Sequence, residues 1–264
     1  MLPFDIQNII CLYLYNLKDT INLYNLSKDH QSNIRITNLY IIPIKYLNKL
    51  TQEIIEQNKF KNVERLDATD NKKIKNVNHM KETLKVLYCG WKCGIDQQGI
   101  SQLKLVELYA PDNGNIKNVN HMKETLKKKL DCSWNCGIEQ EGISQLNLIK
   151  LCASCNDKIK NVNHMKDTLK VLYCSWECGI DQRGISQLNL VKLYASDNDK
   201  IKNVNYMKKT LKILRCTGTC GIDQEGISQL NLVELDASRN EKIKNANHMN
   251  KTLNILHGFG SNVK

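Results

Sequence analysis

The segments LKVLYCGWKCGIDQQGISQLK, residues 84–104, and LVELYAPDNGNIKNVNHMKET, residues 105–125, decide the fold, because variants of the two alternate along most of the chain. Each is 21 residues long and opens with L-x-x-L-x-(A/C), followed by an Asn or Cys and then an Ile. Position 1 denotes the first residue of a unit. The ten units begin at Val63, Leu84, Leu105, Leu126, Leu148, Leu169, Leu190, Leu211, Leu232 and Leu253. A fixed period of this length is typical of stacked repeats that share one continuous core.

This pattern resembles the leucine-rich repeat, whose consensus is L-x-x-L-x-L-x-x-(N/C)-x-L. Two departures occur: the third apolar position is Ala or Cys, and in the units with C-x-x-x-C the Asn/Cys position falls one residue late. The resemblance implies an α/β-type solenoid, a leucine-rich-repeat horseshoe of about ten 21-residue units with a parallel inner sheet. It also implies an asparagine that bonds the backbone at each bend. That column holds Asn71, Asn113, Asn156, Asn198 and Asn240.

The first six positions of each unit predict which side chains face the core. In the unit from Leu105, the leucines at positions 1 and 4 and Ala110 at position 6 point inward. Tyr109 at position 5 points outward, because side chains alternate along a strand. One unit is longer: Leu126 is followed by KKKLDC where its sister units have KVLYC. The extra residue precedes Leu130, so we expect a local bulge in that strand.

Residues 1–62 lack the repeat and carry apolar residues at helical spacing, which predicts helices near the start, after Asp19 and over Ile44–Asn58. The opening LPFDIQNII with a later SK resembles an F-box, although the usual downstream Trp is absent. The matching residues are Leu2, Pro3, Asp5, Ile6, Ile9, Ser27 and Lys28. This resemblance implies docking to a Skp-type adaptor through Leu2, Pro3, Ile6, Ile9 and Leu14. The alternative is a helical cap alone, which a solenoid needs over its first repeat.

The chain therefore divides into three parts: an F-box-like helical cap at 1–62, the solenoid at 63–257 and a short tail at 258–264. An F-box followed by near-identical repeats rich in Lys and Asn resembles the F-box and repeat proteins of amoebal giant viruses. Lys, Asn, Ile and Tyr have AT-rich codons. The basic charge is therefore weaker evidence for an anionic partner than it would be in an average composition.

Charge and cysteine content place the chain in a broad class. The formal net charge is +11, and the chain has 11 cysteines. The start MLPFDIQN has no basic region typical of a secretory signal, and the longest apolar stretch is too short to span a bilayer. We therefore expect free thiols in a reducing compartment, and an intracellular protein in the cytoplasm or nucleus.

Repeated cysteine pairs suggest a metal site at first sight, but their spacing disfavours one. The C-x-x-x-C pairs begin two units apart, about 9.6 Å, which is too far for a shared zinc ion or a disulfide between pairs. Small buried side chains are the favoured interpretation, with occasional thiol chemistry as the alternative. The pairs begin at Cys89, Cys132, Cys174 and Cys216.

Histidine and lysine columns also have a plain and a functional interpretation. A histidine column at position 17 favours solvated or half-packed side chains over a metal or proton relay: His79, His121, His164 and His248, with Tyr206 in the fifth place. Rows of lysine predict a solvated convex face, with nucleic-acid contact as the alternative. One row holds Lys75, Lys117, Lys160, Lys202 and Lys244, and the other Lys81, Lys123, Lys166 and Lys208.

The column at position 5 is the most informative for function. Exposed Tyr and Arg are typical of binding surfaces, although Tyr also simply suits strands. We predict that a protein partner binds the concave face through Tyr88, Tyr109, Tyr173, Tyr194, Arg215 and Asp236. The sequence thus predicts a protein-interaction module, a substrate-recognition subunit of an SCF-type ubiquitin ligase if the F-box resemblance holds. The alternatives are a repeat-only scaffold or a basic-surface nucleic-acid or anion binder. No enzyme activity, metal or cofactor is expected, because every candidate catalytic residue recurs as a repeat position.

Overall fold

The structure is a computed structural model that describes residues 25–39 and 50–258. Within these residues, eleven parallel strands form one sheet, in which each strand pairs with the next one along the chain. The strands are β1 (Asn38–Leu39), β2 (Arg65–Asp67), β3 (Val86–Tyr88), β4 (Glu107–Tyr109), β5 (Lys129–Asp131), β6 (Lys150–Cys152), β7 (Val171–Tyr173), β8 (Lys192–Tyr194), β9 (Ile213–Arg215), β10 (Glu234–Asp236) and β11 (Ile255–His257). The chain is an α/β-type solenoid of repeats, as the sequence predicted.

Each strand from β2 onward covers positions 3 to 5 of its unit. In the longer unit from Leu126, the inserted residue is left out of this numbering, so Lys129 is at position 3. The leucine at position 4 is the middle residue and is fully buried from β2 to β10, as in Leu66 and Leu235. The residues at positions 1 and 6, such as Leu105 and Ala110, are buried as well. Because strand side chains alternate, positions 3 and 5 point away from the core. We call the surface formed by these two positions in β2–β11 the open sheet face.

Helices in the described residues are short. The α-helices are α1 (Lys28–Asn33), α2 (Gln52–Ile55) and α3 (Gln182–Ile185). The 3-10 helices are Asn58–Phe60, Asn78–Met80, Gln98–Ile100, Asn120–Met122, Glu141–Ile143, Asn163–Met165, Asn205–Met207, Glu225–Ile227 and Asn247–Met249. Each repeat turn buries a methionine or isoleucine at its helical end, so a unit of about 21 residues closes with a single helical turn.

The sheet extends upstream of the recognisable repeats. Strand β1 pairs in parallel with β2, and its Leu39 is fully buried. Gln52 accepts the N–H groups of Lys75 and Asn76, which is the role that Gln97 has one unit pair later. The predicted single helix over Ile44–Asn58 is wrong where it is described, because α2 ends at Ile55 and a separate 3-10 helix starts at Asn58.

The extra residue of the longer unit lies just before its strand. Strand β5 keeps regular register with β4, since Glu107 pairs with Lys129 and Leu108 with Leu130. Upstream, the N–H of Lys127 turns back to the carbonyl of Thr125. The extra residue is therefore accommodated in the turn just before β5, and the strand itself keeps its register with β4.

An asparagine column closes the bend after each strand. Asn156 Nδ2 donates to the carbonyls of Cys132 (2.8 Å) and Ile138 (3.0 Å) in the preceding unit, and its Oδ1 accepts the N–H of Lys158. The same three bonds are made by Asn113, Asn198 and Asn240. The predicted backbone-bonding role of this column is confirmed.

Two further amide columns join each unit to the next. Gln140 Oε1 accepts the N–H groups of Lys160 and Asn161 at 2.9 Å. Asn163 Nδ2 donates to the carbonyl of Arg183 at 2.7 Å. Since these bonds recur along the array, much of the asparagine content has a structural role that codon composition alone does not explain.

Candidate functional site

The predicted partner-binding residues form one row across the open sheet face. Strand register places Tyr88 beside Tyr109, and Tyr173 beside Tyr194. The row continues through Arg215 on β9 and Asp236 on β10. The four tyrosines and Asp236 are half-buried and Arg215 is exposed. The structure therefore brings all six predicted residues onto one surface.

The tyrosines stack as two pairs. The ring centroids of Tyr88 and Tyr109 lie 4.1 Å apart with 11° between the planes, and those of Tyr173 and Tyr194 lie 4.2 Å apart with 4° between the planes. The strands between the pairs carry Asp131 and Cys152 at position 5. Each pair is a rigid aromatic surface, because neither ring can turn freely against its neighbour.

Cations lie against these rings, and sequence analysis missed their part in the site. Lys129 Nζ lies 4.0 Å from the centroid of Tyr109, and Lys150 Nζ lies 4.8 Å from that of Tyr173. The guanidinium of Arg215 lies 5.4 Å from the centroid of Tyr194. Both lysines are at position 3, two residues before position 5 and thus on the same face. That alternation was the available signal.

Glu107 holds Tyr109 in place on the open sheet face. Its carboxylate accepts the hydroxyl of Tyr109 at 2.7 Å and pairs with Lys128 Nζ at 2.7 Å, and its side chain is 10% exposed. Burial alone would raise the pKa of Glu107, but these two hydrogen bonds outweigh it and hold the pKa below its ordinary value. Burial, followed by the bond to Glu107, raises the pKa of Tyr109. Tyr109 is therefore neutral and held in one orientation.

The centre of the face is basic. Lys129 and Lys150 are register partners on β5 and β6, so two like charges lie opposite each other. Burial and then the charge of Lys150 lower the pKa of Lys129. Lys192 on β8 adds a third cation, against the single carboxylate of Asp131 in this part of the row. Like charges directly opposite each other destabilise a sheet, so the repulsion between Lys129 and Lys150 offsets part of what their contacts with the tyrosine rings contribute.

A tryptophan row at position 8 was also missed. Trp91, Trp134 and Trp176 are the only tryptophans in the chain, and all three fall at this position in alternate units. Their exposed fractions are 49%, 45% and 49%. The signal was available in the sequence, because three rare aromatic residues recur 43 and 42 residues apart.

Comparisons with known proteins show likeness only at the level of overall shape. No protein-family model matches the chain. No curated protein matches it. A chain in the crystal structure of the yeast complex of Rad7 and Elc1 is similar at 14% identity and a TM-score of 0.42, over 76% of this chain and 69% of that one. The functional domain of InlJ from Listeria monocytogenes, which includes a cysteine ladder, is similar at 20% identity and a TM-score of 0.44. That match covers 89% of this chain and 46% of the InlJ chain. Because both scores are below 0.5, the fold assignment rests on the repeated sheet itself.

The histidine column packs against the preceding unit. His164 Nε2 lies 3.1 Å from the carbonyl oxygen of Ile143, and burial lowers the pKa of this ring. Tyr206, in the same column, donates its hydroxyl to the carbonyl of Ile185 at 2.8 Å. The interpretation as solvated or half-packed side chains is therefore correct, because the column is exposed and each side chain also contacts a carbonyl of the preceding unit.

The lysine and cysteine columns have the plain roles that the sequence favoured. Lysines of both rows are exposed, and in the second row Lys81 Nζ donates to Gln102. Of the cysteines in the described residues, eight are buried, and Cys152 and Cys155 are half-exposed. Burial raises the pKa of Cys178 to about 12 and that of Cys93 to about 11. In the described ranges, no three His, Cys, Asp or Glu side chains come together as a metal site.

The predicted adaptor-binding residues, namely Leu2, Pro3, Ile6, Ile9 and Leu14, lie outside the described residues. Ser27, which belongs to the F-box-like pattern, caps helix α1: its Oγ accepts the N–H of His30 at 3.2 Å. Within residues 25–39 and 50–258, no helix is long and apolar enough to cross a bilayer.

Proposed function

We propose that this chain is a protein-interaction module whose partner binds the open sheet face. The observation that carries the proposal is the row of two stacked tyrosine pairs with cations on their rings. Tyrosines held in this way offer large contact area at little cost in rotamer entropy, and their hydroxyls can bond polar groups of a partner. Arg215 and Asp236 add a polar rim to the row.

The charge of the face suggests the partner's chemistry. Lys129 and Lys150 face each other across two strands, and an acidic group on the partner would relieve their repulsion. We therefore expect an acidic patch on the partner opposite β5–β8, with apolar contacts over the tyrosine pairs on either side.

Alanine substitution tests this proposal. The immobilised chain is used to recover partners from a cell extract, and recovery is quantified for each variant by mass spectrometry. Tyr109→Ala and Tyr173→Ala should each weaken retention by about 2 kcal/mol if the residue is a binding hot spot. The circular dichroism spectrum should stay unchanged, because these side chains lie outside the core.

We call the surface formed by the turns and short helices between the strands the turn side. Matched controls come from this surface. Lys117→Ala and Lys160→Ala remove exposed charges there and should leave retention unchanged. If the lysine variants lose the partner and the tyrosine variants keep it, the basic-surface alternative replaces the open-face proposal. A nucleic-acid or anion binder would then be the function to pursue.

We further propose that residues 1–62 dock a Skp-type adaptor and that the solenoid, residues 63–257, selects a target for ubiquitin ligation inside the cell, with 258–264 as a tail. The support is the pattern L-P-x-D-I-x-x-I with a later Ser-Lys, together with Ser27 as a helix cap. This pattern resembles F-box and repeat proteins of amoebal giant viruses. The alternative remains a repeat-only scaffold.

Co-purification tests the adaptor proposal. The whole chain is co-expressed with a Skp-type adaptor. Ile9→Asp and Leu14→Asp should each abolish the complex, because each substitution introduces a charge into the apolar face that is proposed to bind the adaptor. Lys28→Ala serves as a control for a change outside the apolar face. If the wild-type chain does not co-purify with such adaptors, residues 1–62 act only as a cap.

A further inference from the structure

The tryptophan row defines a second surface, separate from the open sheet face. Neighbouring indole rings approach across an intervening unit: the centroids of Trp91 and Trp134 are 6.4 Å apart, and those of Trp134 and Trp176 are 6.0 Å apart. Units two apart are spaced by about 9.6 Å at the sheet, so these side chains lean toward each other over the unit between them.

The backbone under each tryptophan is strained. Trp91, Trp134 and Trp176 have φ values of 57°, 61° and 59°. This left-handed region suits Gly, Asn and Asp, and a bulky side chain there is a rare outlier. The conformation is imposed by the repeat, because the backbone N–H of each tryptophan donates to a backbone carbonyl of the next unit. Trp134 donates to the carbonyl of Ser154, and Trp176 donates to that of Ser196.

Other units show which residues the repeat itself prefers at position 8. Asp70, Asp112 and Asp197 take it with φ of 58°, 55° and 55°, and Gly218 takes it with φ of 65°. Cys155 and Arg239 occupy it in two further units with φ of 57° and 61°. Tryptophan there adds strain and leaves nearly half of an apolar side chain in water. The contacts between the rings cover only part of each indole, and the strained, half-exposed row suggests a role in binding.

A cleft opens between two of the rings. It encloses about 480 Å³ and is lined by Trp134, Asn135, Cys155, Trp176 and Glu177. Cys155, at position 8 of the unit between the tryptophans, lines it with a small side chain. Glu177 lines the same cleft, and burial and then the charge of this carboxylate raise the pKa of Cys155. The cleft thus combines two aromatic faces with one anion.

The row is acidic in a chain with a net charge of +11. Asp112 occupies position 8 in the unit after that of Trp91, and Asp197 occupies it in the unit after that of Trp176. Glu177 lines the cleft. Asp70 adds a further carboxylate at position 8, and the cations at or beside this position are Lys92, next to Trp91, and Arg239, in the unit from Leu232. Local charge therefore opposes the overall charge, which favours a cationic ligand and disfavours a phosphate backbone.

We propose that the tryptophan row binds a basic peptide segment, with one arginine or lysine side chain in the cleft against the exposed surfaces of Trp134 and Trp176 and with Glu177 as its counter-ion. A cation within about 6 Å of an indole centroid is attracted to the ring face, and two faces with a carboxylate strengthen that attraction. An arginine side chain also stacks its planar guanidinium on an aromatic ring.

Binding of a dye-labelled peptide of alternating arginine and glycine to the full chain tests the proposal, measured by fluorescence anisotropy. The wild-type chain should bind saturably despite its positive charge. Trp176→Gly should weaken binding about tenfold, and Glu177→Gln about threefold, because each removes one attraction for the cation. Gly218 shows that the repeat accepts glycine at this position, so Trp176→Gly should not lower the melting temperature.

Tyr173→Ala on the open sheet face is the matched control and should leave peptide affinity unchanged. Tyr173→Ala should weaken partner retention without changing peptide affinity, and this difference separates the two surfaces. The proposal is overturned if the peptide does not saturate, or if Trp176→Gly binds it as tightly as the wild type. Tighter binding of a single-stranded oligothymidylate than of the peptide would also overturn it, in favour of base stacking on the indoles.

Discussion

The turn side of the solenoid and its open sheet face are built from the same units but differ in how their residues repeat. On the turn side, Asn156, Gln140 and Asn163 each have counterparts that make the same bonds along the array. On the open sheet face, positions 3 and 5 change from unit to unit. Identity is kept where stacking requires it, so variation marks the surface that stacking leaves available for selecting a partner.

Removing one amide from the turn side should give the largest loss of stability. Asn156→Ala leaves the buried carbonyls of Cys132 and Ile138 without their donor, and should cost about 3 kcal/mol. Asn147→Ala, at an exposed position at the end of the preceding unit, should cost less than about 0.5 kcal/mol. Urea denaturation measures both. Equal effects would mean that the amide columns do not hold the units together.

A close backbone approach on the turn side should be nearly as sensitive. A Cβ at Gly142 would collide with the carbonyl of Lys117, so Gly142→Ala should cost about 2 kcal/mol. A Cβ at Gly114 would meet only the carbonyl oxygen of Asn135 at 3.9 Å, an ordinary contact, so Gly114→Ala should be neutral within about 0.5 kcal/mol. Thermal unfolding of the two variants compares them directly, and a larger drop for Gly114→Ala would contradict the stacking geometry.

Glu107 is the place where the open sheet face also contributes to stability. Its pKa lies below the ordinary value of 4.5, so its contribution is present above that value and is lost as pH falls through the folded-state pKa. Glu107→Gln should therefore flatten the loss of stability between about pH 5 and pH 3. Glu124→Gln, whose carboxylate is 79% exposed, should leave that slope unchanged. Urea midpoints across this range decide between them.

The smallest effect is expected where the array already supplies the replacement. Tyr206 occupies the position of His164 two units later and bonds the equivalent carbonyl. His164→Tyr should therefore change the free energy of unfolding near neutral pH by less than about 0.5 kcal/mol. Burial lowers the pKa of His164, so its neutral form stabilises the fold above the ordinary value of 6.5, and this contribution is lost as pH falls below it. The tyrosine variant should lack that loss. Unfolding at about pH 7 and about pH 5 tests both statements.

How far sequence reasoning reached differs between the two sides. The asparagine column, the buried cysteines and the outward tyrosines were predictable, because strict periodicity puts every copy of a position in the same environment. Strand β1 and the role of Gln52 were missed, since Asn38 and Leu39 pair with the sheet and Gln52 bonds the next unit without a repeated sequence. The continuous helix over Ile44–Asn58 was wrong for the same reason: apolar spacing alone does not show that a segment continues a stack.

The sequence by itself determined the unit length, the inward leucines and the row at position 5, because a repeated pattern can bury its apolar residues only by stacking. Only the tertiary structure decided which side chains of different units meet. The lysines over the tyrosine rings and the indoles that meet across an intervening unit are examples. These residues lie 20 or more positions apart in the chain, and their contacts depend on strand register and side-chain lean, which no local pattern records.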